Sequence, residues 1–288
     1  MTRYFFSLLM FALFSSIIPA SAETTVQGNF LSMAACPDNS VLLLSDDNQI
    51  VKVKPDGSTS IVKLPSLTEE GKGARFSDLA VNDSVITLCR FQAPRLYSID
   101  LKKPENYTII KPEKLLKEGI KLLSICTSKK GFLALDADGK TFEITTTGEV
   151  TQLSEDATMY STPEGEPVQV KISNPGKYDE KILVAAQSGK EIFTFTPPDS
   201  VNKILNFGII GFDKQGRLIS FSDIGIGDKG AKFSLMASKD GKIVASKEIS
   251  APEELFAVRS HVLMPDGKIC IMRSTSGGNG VVLSWITL

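Results

Sequence analysis

The sequence contains a single histidine and four cysteines, none of them in C-x-x-C spacing. Histidine-rich metal centres are excluded by count, and a zinc finger or a thioredoxin-like motif has no support. Lysine and arginine number 32 against 33 aspartate and glutamate, which gives a formal net charge of −1. Because nucleic-acid-binding proteins usually carry a basic excess, we expect no nucleic-acid partner.

The only long apolar run lies at the start of the chain. Arg3 precedes an almost wholly apolar stretch over residues 4–18, and Ala20-Ser21-Ala22 has the small residues of a cleavage site. This pattern predicts a secretory signal peptide over residues 1–22. A membrane anchor is the weaker alternative, because the run falls short of the roughly 20 residues that span a bilayer. Met33-Ala34-Ala35-Cys36 resembles a lipobox, which leaves a lipoprotein as a further alternative.

The mature chain, residues 23–288, lacks linkers and low-complexity segments, so we expect one domain. We expect it to be periplasmic or secreted, without a membrane span, and monomeric. Export permits disulfides, and four cysteines allow three pairings among which the sequence cannot choose. Burial as small apolar residues on strands is an equal alternative. The cysteines concerned are Cys36, Cys89, Cys126 and Cys270.

Short apolar runs separated by turn residues recur along the mature chain. Residues 32–57 read as strand, Pro-Asp-Asn turn, strand, strand and Pro-Asp-Gly turn. Each copy has a turn after its first strand, and in five of the six copies a serine lies seven residues before that turn. The average spacing of these positions is about 46 residues, which is close to the period of a four-stranded propeller blade. These positions are Ser32, Ser77, Ser124, Ser173, Ile209 and Ser260.

The spacing predicts an all-β, six-bladed propeller with four antiparallel strands per blade. The sixth copy ends at Leu288 without a fourth strand, so residues 24–27 are expected to complete the last blade and to cover its edge. Two insertions interrupt the pattern: a helical turn over residues 112–119 and a polar loop over residues 154–167.

The repeat resembles the NHL type, shared by gluconolactonase-type six-bladed propellers. The resemblance rests on SMAACPDNSVLLLSDDNQIVKVKPDG, SICTSKKGFLALDADGKTFEI and SHVLMPDGKICIM. It implies a hydrolase with one divalent cation in the central channel, provided that acidic and amide side chains begin the innermost strands. Only one carboxylate stands among the comparable residues, which are Asn29, Arg75, Lys121, Gln169, Asn206 and Glu254.

Two further sequence features are better explained by structural roles than by a nucleotide site or a catalytic site. The segment 225–230 matches G-x-G-x-x-G but precedes a strand, whereas a nucleotide site needs a helix there. His261 lacks the G-x-S-x-G context of a serine nucleophile, so we expect a core or channel histidine.

Polar residues follow the predicted second strands, where the chain turns over one end of the propeller. If they converge, their mixed charges could bind a sugar-like or zwitterionic ligand or a protein loop; an ordinary solvated edge is the alternative. This rim set comprises Asp46, Asp47, Arg90, Asp136, Asp223 and Arg273, with Gln187 as a seventh position.

The sequence therefore favours an exported, non-catalytic binding module for a protein or small ligand, without a cofactor. A metal-dependent hydrolase of the gluconolactonase type is the alternative.

Overall fold

The structure is a computed structural model, which describes residues 23–65, 67, 75–175, 177, 180–196, 203–225, 231–249, 257–275 and 277–288. The signal peptide expected over residues 1–22 lies outside these ranges, as does most of the glycine-rich segment 225–230. No helix within the described ranges is long and apolar enough to cross a membrane.

The described chain is built almost wholly from short strands. Their bounds are β1 Glu23–Gln27, β2 Phe30–Ala35, β3 Val41–Ser45, β4 Ile50–Val53, β5 Thr59–Val62, β6 Phe76–Asn82, β7 Val85–Arg90, β8 Leu96–Asp100, β9 Tyr107–Ile110, β10 Leu122–Ser128, β11 Gly131–Asp136, β12 Thr141–Thr145, β13 Val150–Gln152, β14 Ala157–Ser161, β15 Pro167–Ser173, β16 Lys181–Ala186, β17 Glu191–Phe195, β18 Lys203–Phe212, β19 Leu218–Gly225, β20 Ala231–Lys239, β21 Lys242–Ile249, β22 His261–Leu263, β23 Ile269–Ser274 and β24 Gly280–Ile286.

These strands form six antiparallel sheets of four strands each, which confirms the six-bladed propeller. Blades one to five use strands in chain order: β2–β5, β6–β9, β10–β13, β14–β17 and β18–β21. The sixth blade has the order β1-β24-β23-β22. The predicted closure is therefore present, because Thr24 pairs with Leu283 and Gln27 with Gly280. This pairing covers the strand edge that the last blade would otherwise expose.

The fourth blade differs from the sequence prediction by one strand. The loop expected over residues 154–167 contains β14, which is the innermost strand of this blade. Ser173, which the sequence placed on a first strand, lies exposed on β15, the second strand of the blade. Strand β18, which begins at Lys203, already belongs to the fifth blade as its innermost strand. The sequence did not predict β14 because its residues ATMYS lie between polar segments and do not form an apolar run; only Ala157 is buried.

The first three blades repeat with a constant spacing that the strands show better than the turns. Strands β2, β6 and β10 each carry a one-residue bulge near the start, and pairing resumes at Ser32, Asp78 and Ser124. Asp78 lies 46 residues from each of the two serines. Its position, rather than that of Ser77, is therefore the equivalent of Ser32 in the second blade.

Apolar side chains pack between the faces of neighbouring blades. Leu42 and Leu44 of the first blade meet Ile86 and Leu88 of the second, and all four are fully buried. Burying such a side chain contributes roughly 1.5–3 kcal/mol. Similar clusters join the second blade to the third, the fourth to the fifth, the fifth to the sixth and the sixth to the first.

A short helix and the four cysteines complete the description of the ring. The predicted helical turn is α1, Glu113–Lys117, whose Leu115 is buried. All four cysteines are free thiols, and Cys36, Cys89 and Cys270 are buried. They therefore pack as small apolar residues and form no disulfides. Residues 33–35 belong to β2 and the buried Cys36 follows it directly, so cleavage before Cys36 would remove the whole of β1 and β2.

Candidate functional site: the cavities of the turn face

The two ends of the ring differ in what surrounds them. We call the turn face the end where first and second strands are joined, at residues 36–40, 83–84, 129–130, 162–166, 213–217 and 264–268. The opposite end, where the second strands finish, is the loop face. Because the strands are antiparallel, residues at the ends of the first strands lie at the turn face.

A buried carboxylate occupies the centre of the ring. Asp78 is fully buried and accepts hydrogen bonds from the hydroxyls of Ser32 and Ser124. The backbone N–H groups of Leu79 and Ile125 also donate to it, each at 2.8 Å. One side chain thus connects the first strands of three blades.

Arg259 completes this axial cluster from the sixth blade. Its guanidinium Nη2 lies 2.8 Å from Asp78 Oδ2 and also donates to the backbone oxygen of Ile125. Nη1 donates to the backbone oxygen of Leu79 at 3.3 Å. A buried ion pair of this kind persists only when further hydrogen bonds compensate the loss of hydration, which these contacts do. The four residues Ser32, Asp78, Ser124 and Arg259, here called the axial cluster, thus link the first, second, third and sixth blades.

An axial cavity of about 340 Å³ lies above this cluster. Residues from the innermost strands of all six blades line it. Most are small or apolar, such as Ala34, Ala80 and Ile210. Polar groups also line it, among them those of Arg259, His261 and Tyr160. Burial raises the pKa of the Tyr160 hydroxyl. Tyr160 is therefore a neutral phenol at pH 7, able to donate or accept a hydrogen bond.

Two larger cavities adjoin the axial one. An outer cavity of about 670 Å³ lies over the turns of the first, second, fifth and sixth blades and shares Ala35, Val81 and Leu263 with the axial cavity. A side groove of about 660 Å³ lies between the fourth and fifth blades. Phe212 lines all three spaces. The turn face therefore carries three adjacent cavities, with Phe212 in the wall of each.

His261 lies in the wall of the axial cavity, which confirms a core or channel histidine. Its ring stacks on Phe221 with centroids 4.7 Å apart, and Nδ1 lies 2.9 Å from Ser260 Oγ. Burial lowers its pKa to about 4, so the imidazole is neutral at pH 7. Nε2 is buried and has no hydrogen-bond partner in the part of the chain that the structure describes. The third group that orients a catalytic Ser–His pair is therefore missing among the described residues.

The rim set lies away from these cavities. Because its members follow or end the second strands, Asp46, Arg90, Asp136, Asp223 and Arg273 belong to the loop face, together with Asp47. Gln187 is the exception: it follows β16, the third strand of its blade, and lies at the turn face. Burial raises the pKa of the half-buried Asp223.

Several members of the rim set are engaged within their own blades. Asp47 accepts hydrogen bonds from Ser45 and from the Gln49 side chain, and this holds its pKa below the usual range. Asp136 accepts two backbone N–H groups of its own turn. Arg273 pairs with Glu23 of the closing strand at 2.5 Å. These contacts give the three residues structural roles in turns and in ring closure.

The positions considered for a divalent cation are dispersed. Gln169 lies in a second strand, β15, and donates to Ser154 at 2.8 Å, whereas Glu254 falls outside the described residues. Within the described ranges, no three His, Cys, Asp or Glu side chains are placed to share a metal ion.

Sequence reasoning missed Asp78 and Arg259. Asp78 could have been found from the sequence, because it lies 46 residues from both Ser32 and Ser124 and is a carboxylate within the apolar run FSDLAV. Arg259 carries no comparable signal, because its role depends on a contact across 181 residues of sequence.

No known protein family matches the sequence, and no curated protein matches it. Solved structures do resemble the fold. "YCF48 bound to D1 peptide" has a TM-score of 0.53 at 12% identity, covering 93% of this chain and 98% of that one. Hydrazine synthase of Kuenenia stuttgartiensis has a TM-score of 0.50 at 11% identity, with coverages of 87% and 78%. The Cps50 (Swd1) propeller domain of Myceliophteria thermophila has 0.50 at 8%, with coverages of 92% and 100%. These likenesses support the propeller fold, while the resemblance to NHL repeats finds no family match.

Proposed function

We propose that this chain is an exported, non-catalytic binding module that holds a protein or small ligand in the cavities of its turn face. The observation that carries the proposal is the axial cavity, to which all six innermost strands contribute and which adjoins the outer cavity. Ligand sites are typically concave, of about 300–1,000 Å³, with apolar walls and a few polar groups.

A binding role fits the chemistry of the cavity better than a hydrolytic one. His261 is the obvious candidate for a general base, but a base with a pKa of about 4 is a poor proton acceptor at pH 7. The charge of Arg259 is already neutralised by Asp78. The structural neighbour YCF48 is described as bound to a peptide, which supports a binding role for this fold.

Affinity capture with three forms of the protein tests the proposal. The turn-face variant combines Thr127→Trp, which fills the axial cavity from an exposed position, with Phe212→Ala. The rim variant combines Arg90→Ala with Arg273→Ala. Extracts and a panel of small molecules are assayed by capture and by ligand-induced thermal shift.

We expect the wild type and the rim variant to retain the same partner or shift, and the turn-face variant to lose it. Loss in the rim variant alone would move the site to the loop face. Equal behaviour of all three forms would refute a site at either end.

A further inference from the structure

We infer that the ligand of the turn face is an extended, positively charged polypeptide segment with one apolar side chain inserted in the axial cavity. This inference rests on the proposed function and specifies its ligand. Three features support it: the adjacency of the cavities, the charge of the side groove, and the lack of a free counter-ion among the described residues that line the axial cavity.

The shape favours a chain over a compact molecule. The axial cavity, the outer cavity and the side groove measure about 340, 670 and 660 Å³. Phe212 lines all three, and Gln215 lines both larger ones, so they follow one another across the face. A compact ligand of ordinary size would fill one such space. An extended segment would occupy all three and leave its side chains in separate cavities.

The charge of the side groove favours a basic segment. Four carboxylates line it, Glu164, Glu166, Glu191 and Asp240, against the two ammonium groups of Lys190 and Lys239. Glu166 accepts a hydrogen bond from the Ser188 hydroxyl, and Glu191 accepts one from the Thr194 hydroxyl. Among the described ion pairs, none involves any of these four carboxylates.

The groove therefore carries two negative charges in excess, within a chain whose total is −1. Complementary potentials across an interface increase specificity and association rate. Lysine or arginine side chains of a bound segment would meet these carboxylates.

The axial cavity favours an uncharged side chain. Its walls include Ala34, Ala80, Ile210 and Val262. Its one cationic side chain, Arg259, is already paired with Asp78. A charged group entering this space would lose hydration without gaining a free counter-ion, which is costly. An apolar side chain gains about 25 cal/mol for each Å² removed from water.

A displayed library of random dodecapeptides, selected on the protein tagged before Glu23, tests this inference. The tag is placed there because Leu288 lines the outer cavity. We expect the enriched peptides to carry an excess of lysine and arginine and to share one large apolar position. Their affinities are then measured by fluorescence anisotropy at two salt concentrations.

Three variants locate the contacts. The combination Glu164→Gln, Glu166→Gln and Glu191→Gln should weaken binding on the order of tenfold at low salt, and less at high salt. Thr127→Trp should weaken it at least as much at both salt concentrations.

The matched control makes the same change of three charges on the loop face: Asp46→Asn, Asp47→Asn and Asp138→Asn. It should leave binding within about twofold of the wild type.

Enriched peptides without a basic excess, or an equal loss in the loop-face control, would overturn the inference. So would a library that yields no binder. In that case, a partner captured by the wild type and lost by the turn-face variant would still support the proposed function, with a ligand that is not a peptide. Failure of both assays would refute both.

Discussion

Removing the Asp78 carboxylate should be the most damaging single change in the channel. Asp78→Ala leaves Arg259 buried without its counter-ion, with only 10% of its side chain exposed. The hydroxyls of Ser32 and Ser124 and two backbone N–H groups lose their acceptor as well. Breaking a buried pair by removing one partner costs about 3–5 kcal/mol. The whole stability of a domain is only about 5–15 kcal/mol, so this loss is large.

Urea denaturation followed by tryptophan fluorescence measures the effect, with Asp156→Ala as the control. Asp156 also pairs with a cation, Lys171, but at 3.7 Å and with both side chains about half exposed. Such surface pairs contribute about 0.2–1 kcal/mol. We expect the midpoint to fall sharply for Asp78→Ala and little for the control, with the slope of the transition unchanged.

A double variant separates the unpaired charge from the lost hydrogen bonds. Asp78→Ala combined with Arg259→Met removes both charges, and it should recover part of the stability lost in the single variant. A loss below about 1 kcal/mol for Asp78→Ala would show that the axial cluster adds no more than a surface pair and would refute the reasoning.

Three further predictions concern other parts of the ring. His261 has a pKa of about 4 in the folded protein and about 6.5 in the unfolded chain, so the unfolded chain binds more protons between these pH values. The free energy of unfolding should therefore fall as the pH drops from 6.5 towards 4. His261→Phe should flatten this part of a pH–stability profile. Gly280→Ala places a methyl group 2.6 Å from the Val26 backbone oxygen and should cost about 1–3 kcal/mol in thermal unfolding, whereas Gly277→Ala, with open space around it, should be nearly neutral. Chelation with EDTA should leave the melting temperature unchanged; a shift, together with one bound ion per chain, would favour the hydrolase.

The architecture was predictable because it depends on local signals repeated many times. Each blade carries short apolar runs between turns of Pro, Asp, Asn and Gly, and one weak strand does not change the count of blades. The closure by residues 24–27 followed from counting strands, since the sixth copy lacked its last one. The prediction for the fourth blade was wrong in register because β14 has few apolar residues to report its burial.

The candidate site was less predictable, because cavities arise from the relative placement of strands distant in sequence. The rim set was predicted from the ends of the second strands, but the sequence cannot show where the ring forms its cavities. Phe212 reads as one more apolar residue of β18, and only the fold places it where three cavities meet. Its importance comes from neighbours contributed by other blades.

The pairing of β1 with β24 has a consequence for how the molecule reaches its native state. Strand β1 is synthesised long before its partner β24, because the paired residues Glu23 and Ser284 lie far apart in the sequence. Contacts of such long sequence separation slow folding, and intermediates with an open strand edge are prone to aggregate. The ring can therefore be completed only after β24 has been synthesised, and a chaperone that shields β1 until then should raise the yield of folded protein.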